Sequence, residues 1–227
     1  MATISKENFK FLKDLSNNNN RDWFNAHKAE YVKQHENTIA FADALLAELN
    51  KHDNIETENG KKSLFRIYRD VRFSKDKSPY KTHWAGGFKR ATAQLRGGYY
   101  FHIEPGNTMV GGGFWAPNKD DLQRIREDIA MDDKPLRKIL NSKSFKDTFG
   151  ELHGEQLKTC PKGFAKDNPG VDLLRYKQFI VSTKFSDQEV LSADFPKKMS
   201  DVFKKMRPFF DYMSESVTTD ANGVSIL

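Results

Sequence analysis

The stretch GGYYFHIEPGNTMVGGGFW, Gly97–Trp115, decides the fold. Two runs in it, Gly98 to Glu104 and Thr108 to Trp115, are rich in aromatic and apolar residues, and Pro105, Gly106 and Asn107 between them are turn formers. Runs of this kind joined by so short a connection read as a β-hairpin, and hence as part of an antiparallel sheet. Further strands are expected upstream at Trp84 to Arg90 and downstream at Gln178 to Lys184, with a possible one at Gln156 to Thr159. Gly86, Gly87, Gly97, Gly98 and the triplet Gly111 to Gly113 lie in or beside these strands. Glycine weakens a strand, so its repetition points to a bulge or to close approach by another backbone or a ligand. The triplet is no nucleotide fingerprint: it lacks GxGxxG spacing and a strand-to-helix setting, and nothing in the chain matches GxxxxGK[ST].

Outward from the hairpin the period becomes helical on both sides. Ser5 is placed to cap a helix carrying Phe9, Phe11, Leu12 and Leu15; the run Asn17 to Asn20 breaks it and caps a second helix beginning at Arg21. From Ala29 to Leu49 the residues Ile39, Ala42, Leu45, Leu46 and Leu49 form the apolar stripe of a helix laid on a core. His52 to Gly60 reads as a polar loop. Downstream, helices are expected after Asn118, from Asp133 and Pro135 to Leu140, at Ser144 to Phe149 and at Val171 to Arg175. A last helical region follows Ser186, its apolar stripe running from Met199 to Met213 with a kink or restart expected at Pro208. The fold class is therefore α+β: an antiparallel sheet flanked by N-terminal and C-terminal helices in a single domain, residues 1–217, with a weakly structured tail at 218–227.

Composition bounds what such a protein does. A chain of 227 residues is long enough for a sizeable core, and 18 Phe, seven Tyr and three Trp supply it. A mean hydropathy of −0.73 and the lack of any apolar run near the roughly 20 residues of a membrane span exclude a membrane protein. Met1 to Leu15 has no basic start, apolar centre and small-residue cleavage site, so the expected compartment is the cytoplasm. Cys160 is the only cysteine, in keeping with a reducing compartment.

Charge is distributed unevenly. From Lys61 to Tyr100 there are 11 Lys or Arg against only Asp70 and Asp76, in a chain whose total is +6. The centre of this region, RIYRDVRFSKDKSPYKT at Arg66 to Thr82, packs fixed charges between apolar and aromatic residues. Read as a strand, Leu64 to Phe73 puts Phe65, Ile67, Val71 and Phe73 on a core face and Arg66, Tyr68, Asp70 and Arg72 on the other. Arg69 interrupts the apolar side and needs a strand end or a carboxylate. Asp70 is expected to pair with Arg66 or Arg72, and Ser74 to Pro79 reads as a polar turn.

These residues resemble a widespread bacterial and fungal family of conserved hypothetical proteins, a domain of unknown function. Its signature runs R-x-x-R-D-x-R-F, three spacers, Asp or Asn, Lys, two further residues, Tyr. Here the matching positions are Arg66, Arg69, Asp70, Arg72, Phe73, Asp76, Lys77 and Tyr80. The likeness extends to Trp23 and Phe24, to Gly97–Gly106 and to the later segments KTCPKGF and LLRYKQF. It implies kinship over most of the chain and no particular activity.

Catalytic patterns are sparse. The six histidines are dispersed, with no HExxH helix and no Cys/His cluster at zinc spacing, so no metal and no cofactor is expected. His102 and Glu104 share a strand face and read as an isolated surface pair before a metal or acid–base pair. Cys160, between Lys158 and Lys162, lacks an evident base, and no GxSxG elbow occurs. No catalytic residue is assigned, and Asp70 and Tyr80 are the first groups to test as proton carriers. The basic stretch then has three readings. Its arginines are held internally by Asp70, Asp76 and acids from the helices. Alternatively Arg66, Arg69, Asp70, Arg72, Lys77, Tyr80 and Lys81 bind a phosphate- or carboxylate-bearing small molecule. Or Lys61, Lys62, Lys89, Arg90 and Arg96 extend a basic face for nucleic acid, with Trp84, Tyr99 and Tyr100 stacking on bases.

Overall fold

A computed structural model describes residues 2–220 and 222–227 and sets the Gly97–Trp115 hairpin at the centre of a four-stranded antiparallel sheet. The strands are β1 (Trp84–Lys89), β2 (Gly98–Ile103), β3 (Met109–Phe114) and β4 (Phe179–Lys184), adjacent in sequence order. Alternation along β2 is plain: Tyr99, Phe101 and Ile103 are buried, while Tyr100 and His102 are half-buried on the opposite face. The glycine triplet answers to close approach of neighbouring atoms. Gly113 has φ +137°, and a Cβ there would lie 2.0 Å from the Phe179 carbonyl oxygen. A Cβ on Gly112 would lie 2.7 Å from the Phe210 ring.

Helices precede and follow the sheet: α1 (Lys6–Asn17), α2 (Arg21–Ala26), α3 (Lys28–Leu49) and α4 (Gly60–Ser63) before it, and α5 (Lys119–Met131), α6 (Lys134–Leu140), α7 (Lys143–Phe149) and α8 (Val171–Leu174) between β3 and β4. After β4 come α9 (Asp187–Val190) and α10 (Phe195–Thr218). The fold is thus α+β, as the sequence indicates. Caps fall where expected: the Ser5 hydroxyl accepts from the Asn8 amide in a capping box, and the Asn20, Asn118 and Ser186 side chains cap α2, α5 and α9. No helix among the described residues is long and apolar enough to cross a membrane.

Two expected strands are corrected. Leu64–Phe73 is not a strand; it makes only the isolated bridges Leu64–Gly86 and Tyr68–Tyr80, and of its supposed core face only Ile67 is buried, while Phe73 is 97% exposed. The alternating pattern is outweighed by fixed charge on both faces, since a core strand has nowhere to put Arg69. Gln156–Thr159 likewise reduces to a single bridge, Gln156–Tyr176. Helix α10 runs through Pro208 without a restart. Proline removes one helical hydrogen bond there, and burial of Phe209 and Phe210 beside it offsets the loss. In the tail a Thr219–Ser225 bridge is present and the Ile226 amide donates to the Thr218 carbonyl; Ala221 within it lies outside the described residues.

The chain divides into two compact units. The first comprises Met1–Phe88, Tyr100–Val110 and Lys184–Asp201. In it Phe41 of α3 packs against Phe101 and Phe195, and the buried Asn8 amide ties α1 to α3 by donating to the Gln34 carbonyl (2.9 Å) and the Thr38 hydroxyl (3.2 Å). The second comprises Lys89–Tyr99, Gly111–Thr183 and Val202–Leu227. Its core gathers Tyr99, Phe114, Phe203, Phe209 and Phe210 and includes a fully buried Arg90. That guanidinium lies over the Phe210 ring and donates to Asp211 at 2.6 Å and to the Arg96 carbonyl at 3.1 Å.

Candidate functional site

The basic stretch lies in the first unit and forms an irregular two-stranded ribbon. Phe65 N–H donates to the Ala85 carbonyl (2.9 Å), Lys81 N–H to Ile67 (2.8 Å) and Arg69 N–H to Pro79 (2.9 Å). Between the arms a loop projects with Phe73 at its exposed tip. Side chains brace it from within. Arg69 forks onto Asp76 and the Ser78 carbonyl, Arg72 chelates Asp70 (2.6 and 3.0 Å), and Lys77 donates to the Val71 carbonyl (2.9 Å). Hydrogen bonds from the Ser78 hydroxyl and amide, and then from Arg69, hold the Asp76 carboxyl down at about 2. Asp70 is held low by Arg72 in the same way. The acids come from the loop itself, not from the helices.

Tyr80 fixes the ribbon to the helices. Its ring is buried and stacks on Phe24 of α2 at 3.9 Å, and burial pushes its phenol up. In the Tyr68–Tyr80 pair the ladder bonds are made by the flanking residues, so the N–H and C=O of Tyr80 face away from Tyr68. Asn19, between α1 and α2, takes both: its amide oxygen accepts from Tyr80 N–H (3.1 Å) and its NH2 donates to the Tyr80 carbonyl (2.9 Å). One asparagine thus does the pairing of a third strand. The sequence marks it only as part of a helix-breaking run.

A cavity of about 300 Å³ opens here, walled by Arg69, Asp76, Tyr80, Lys81 and His83, with Ser16 and Asn19 on the α1 side. Of the seven residues nominated from sequence, Arg69, Tyr80 and Lys81 reach this wall; Arg66, Asp70, Arg72 and Lys77 do not. The Lys81 ammonium donates to the Arg66 carbonyl at 2.8 Å and sits 5.8 Å from the Phe65 ring centroid. No carboxylate among the described residues pairs with it. Burial first, and then the like charge of Arg66, push its pKa down.

Sequence reasoning missed His83 as a partner of His102 and Glu104. Adjacent antiparallel strands bring the residue before β1 to the end of β2, and the His83 and His102 ring centroids are 4.1 Å apart. His102 Nε2 is 3.0 Å from Glu104 Oε2, and its Nδ1 is 3.2 Å from the Tyr100 hydroxyl. Glu104 also accepts from the Thr82 hydroxyl (3.2 Å) and the Asn107 amide (2.9 Å). Burial raises the Glu104 pKa, but these hydrogen bonds outweigh it and the carboxyl lies below its usual value. Burial, then the neighbouring His102, pushes His83 down to about 4, so it is neutral near pH 7.

The other features singled out from sequence are placed elsewhere. Arg90 is buried against Asp211 and Arg96 pairs with Asp121; of the proposed stacking rings, Trp84 and Tyr99 are buried and Tyr100 is half-buried. Cys160 lies against the Pro161 and Phe164 carbonyls. A second cavity, about 320 Å³, includes Arg137, but Asp133 and Asp172 chelate that guanidinium at 2.6 Å each.

A family model described as conserved hypothetical protein (DUF2461) matches residues 7–212. No curated protein and no solved structure matches the chain.

Proposed function

Since the chain belongs to this conserved hypothetical family (DUF2461), whose description carries no activity, we propose from the site alone that the protein binds a small phosphate- or carboxylate-bearing molecule in the Arg69–Lys81 cavity. One observation carries the reading. Lys81 stands on the cavity wall without a carboxylate partner among the described residues, and it feels the like charge of Arg66, whose field acts on an Asp70 already chelated by Arg72. An anion there would pair with the Lys81 ammonium and offset, at longer range, its repulsion from Arg66, which lies off the wall. Asp76 does not cancel this charge, because Arg69 and Ser78 already engage it. The cavity is at the lower end of the about 300–1,000 Å³ range of ligand sites, which favours a small ligand. Asp70, chelated by Arg72 off the cavity wall, and Tyr80, with its raised pKa, are poor proton carriers near neutral pH, so the reading is of binding.

A second reading has its own support: Arg69–Asp76 and Arg72–Asp70 are internal pairs, and they account for two of the arginines as structural braces. The two readings divide the cluster between them and are separated by substitution. Inorganic phosphate, acetate and citrate should raise the melting temperature of chelator-treated protein. Lys81→Met, which keeps the aliphatic stem, should abolish that rise while Arg72→Met preserves it. If none of the anions raises the melting temperature, or if Lys81→Met responds like wild type, the cavity is not an anion site.

A further inference from the structure

We propose that His83, His102 and Glu104 form a binding site for a divalent transition-metal ion with the coordination chemistry of zinc, with an open position facing the Arg69–Lys81 cavity. Two imidazoles and one carboxylate present donor atoms that all lie within 4.8 Å of one another. Nitrogen-rich mixed sets of this kind suit Zn²⁺ and Co²⁺, whereas Mg²⁺ and Ca²⁺ take oxygen donors. Bonds of about 2.0–2.2 Å in a tetrahedron separate donor atoms by roughly 3.3–3.6 Å. His102 Nε2 and Glu104 Oε2, 3.0 Å apart, are already near that separation. Closure then needs a turn of the His83 ring, shifting its nitrogen on the order of an ångström.

The surroundings are those that orient metal ligands. Glu104 is fixed through both oxygens, by Thr82 on one and Asn107 on the other. The Tyr100 hydroxyl meets His102 Nδ1, so a proton on Nδ1 can be donated to the phenolic oxygen while Nε2 presents its lone pair. In the ion-free protein a proton bridges Nε2 and Glu104; the metal takes that proton's place. His83 is the residue a simple His102–Glu104 pair leaves over. It is half-buried against His102 and makes no hydrogen bond to any described residue. His102 and Glu104 are 13% and 26% exposed, enough shelter to favour ligation and enough access for an ion to enter. His83 also lines the cavity, which places the fourth coordination position on that side. Three protein ligands with one open position is the arrangement of zinc sites that act on a bound ligand.

The inference does not rest on the anion reading, and the two fail separately. Full-length protein stripped with chelator and transferred to buffer free of phosphate and carboxylates is titrated with Co²⁺. The expected result is one equivalent bound, visible d–d absorption of a four- or five-coordinate ion, displacement by Zn²⁺ and a higher melting temperature. Tyr100→Phe should weaken binding about 10- to 100-fold, as loss of an outer hydrogen bond does, and His83→Ala and Glu104→Gln should weaken it more. Far-UV circular dichroism and melting in chelator establish that each variant is folded, and His83→Asn replaces any that is not. Absence of the absorption bands in wild type, or unchanged Co²⁺ affinity in folded His83 and Glu104 variants, would overturn the proposal.

Discussion

Asn19→Ala is the sharpest test of how the candidate site is held, because one side chain supplies both partners of the Tyr80 peptide groups. The substitution deletes two hydrogen bonds, of 2.9 and 3.1 Å, and leaves an N–H and a C=O that the ribbon itself does not pair. A net hydrogen bond contributes about 1 kcal/mol, and the adjoining cavity lets water reach both groups, so the full cost of a sealed orphan does not apply. The expected loss is therefore about 2 kcal/mol, or a fall in melting temperature of roughly 4–8 °C for a chain of this size. Asn19→Asp sharpens the test: it retains an acceptor for the Tyr80 N–H but sets a second oxygen against the Tyr80 carbonyl. Its stability should equal or fall below that of Asn19→Ala. Urea unfolding followed by circular dichroism measures both, with Asn18→Ala as the exposed control, since Asn18 bonds only locally to the Asp14 carbonyl. If Asn19→Ala melts within about 1 °C of wild type, or Asn19→Asp is the more stable of the two, the two-point anchoring of Tyr80 is wrong.

Gly113→Ala should prevent folding or give insoluble protein, because the new Cβ meets the Phe179 carbonyl at 2.0 Å and φ is +137°, whereas Gly106→Ala, at φ +75° with nothing near its Cβ, should cost only about 1–2 kcal/mol by urea unfolding. Phe73→Ser, at the exposed loop tip, should leave stability within about 0.5 kcal/mol of wild type; a larger loss would mean that Phe73 is packed. Acid should weaken the fold through His83: its folded pKa of about 4 lies below the ordinary 6.5, so the unfolded chain binds more protons in that window and stability falls as pH drops through it. Discounted for solvent screening the effect is roughly 1–2 kcal/mol, read from urea midpoints in chelator, and His83→Gln should flatten the profile between pH 6.5 and 4.

The fold was legible where local chemistry and pattern agree. The hairpin at β2–β3 carries its turn residues and its alternation together, and the capping residues Ser5, Asn20, Asn118 and Ser186 stand where their helices begin. Leu64–Phe73 shows what happens when they disagree. Its apolar positions alternate like a strand, yet Arg66, Arg69 and Arg72 come at every third residue, and their charges keep the segment at the surface as a braced loop. Arg69 was the local warning, since no alternating pattern accommodates it on the apolar face. Arg90 shows the converse. A sequence reading counts it among surface cations, because nothing before folding says that Asp211, 121 residues later, will meet it in the core.

The candidate site was legible in charge but not in composition of its walls. Lys81 and Arg69 could be nominated from the basic stretch alone, whereas Asn19 comes from 61 residues before the Tyr80 it holds. His83 was missed by one step of register. The expected strands Trp84–Arg90 and Gly98–Glu104 would set Trp84 across from Glu104, whereas the observed ones, Trp84–Lys89 and Gly98–Ile103, make His83 and Glu104 the next residues beyond the paired ends, on the face that His102 shares. Pairing the residues two apart on one strand finds only His102 and Glu104, a set too small for a metal. The third donor enters through the register of β1 against β2 rather than through any spacing of histidines in the chain. A dispersed set of histidines is therefore no argument against a metal site in an antiparallel sheet, where donors far apart along the chain meet across neighbouring strands.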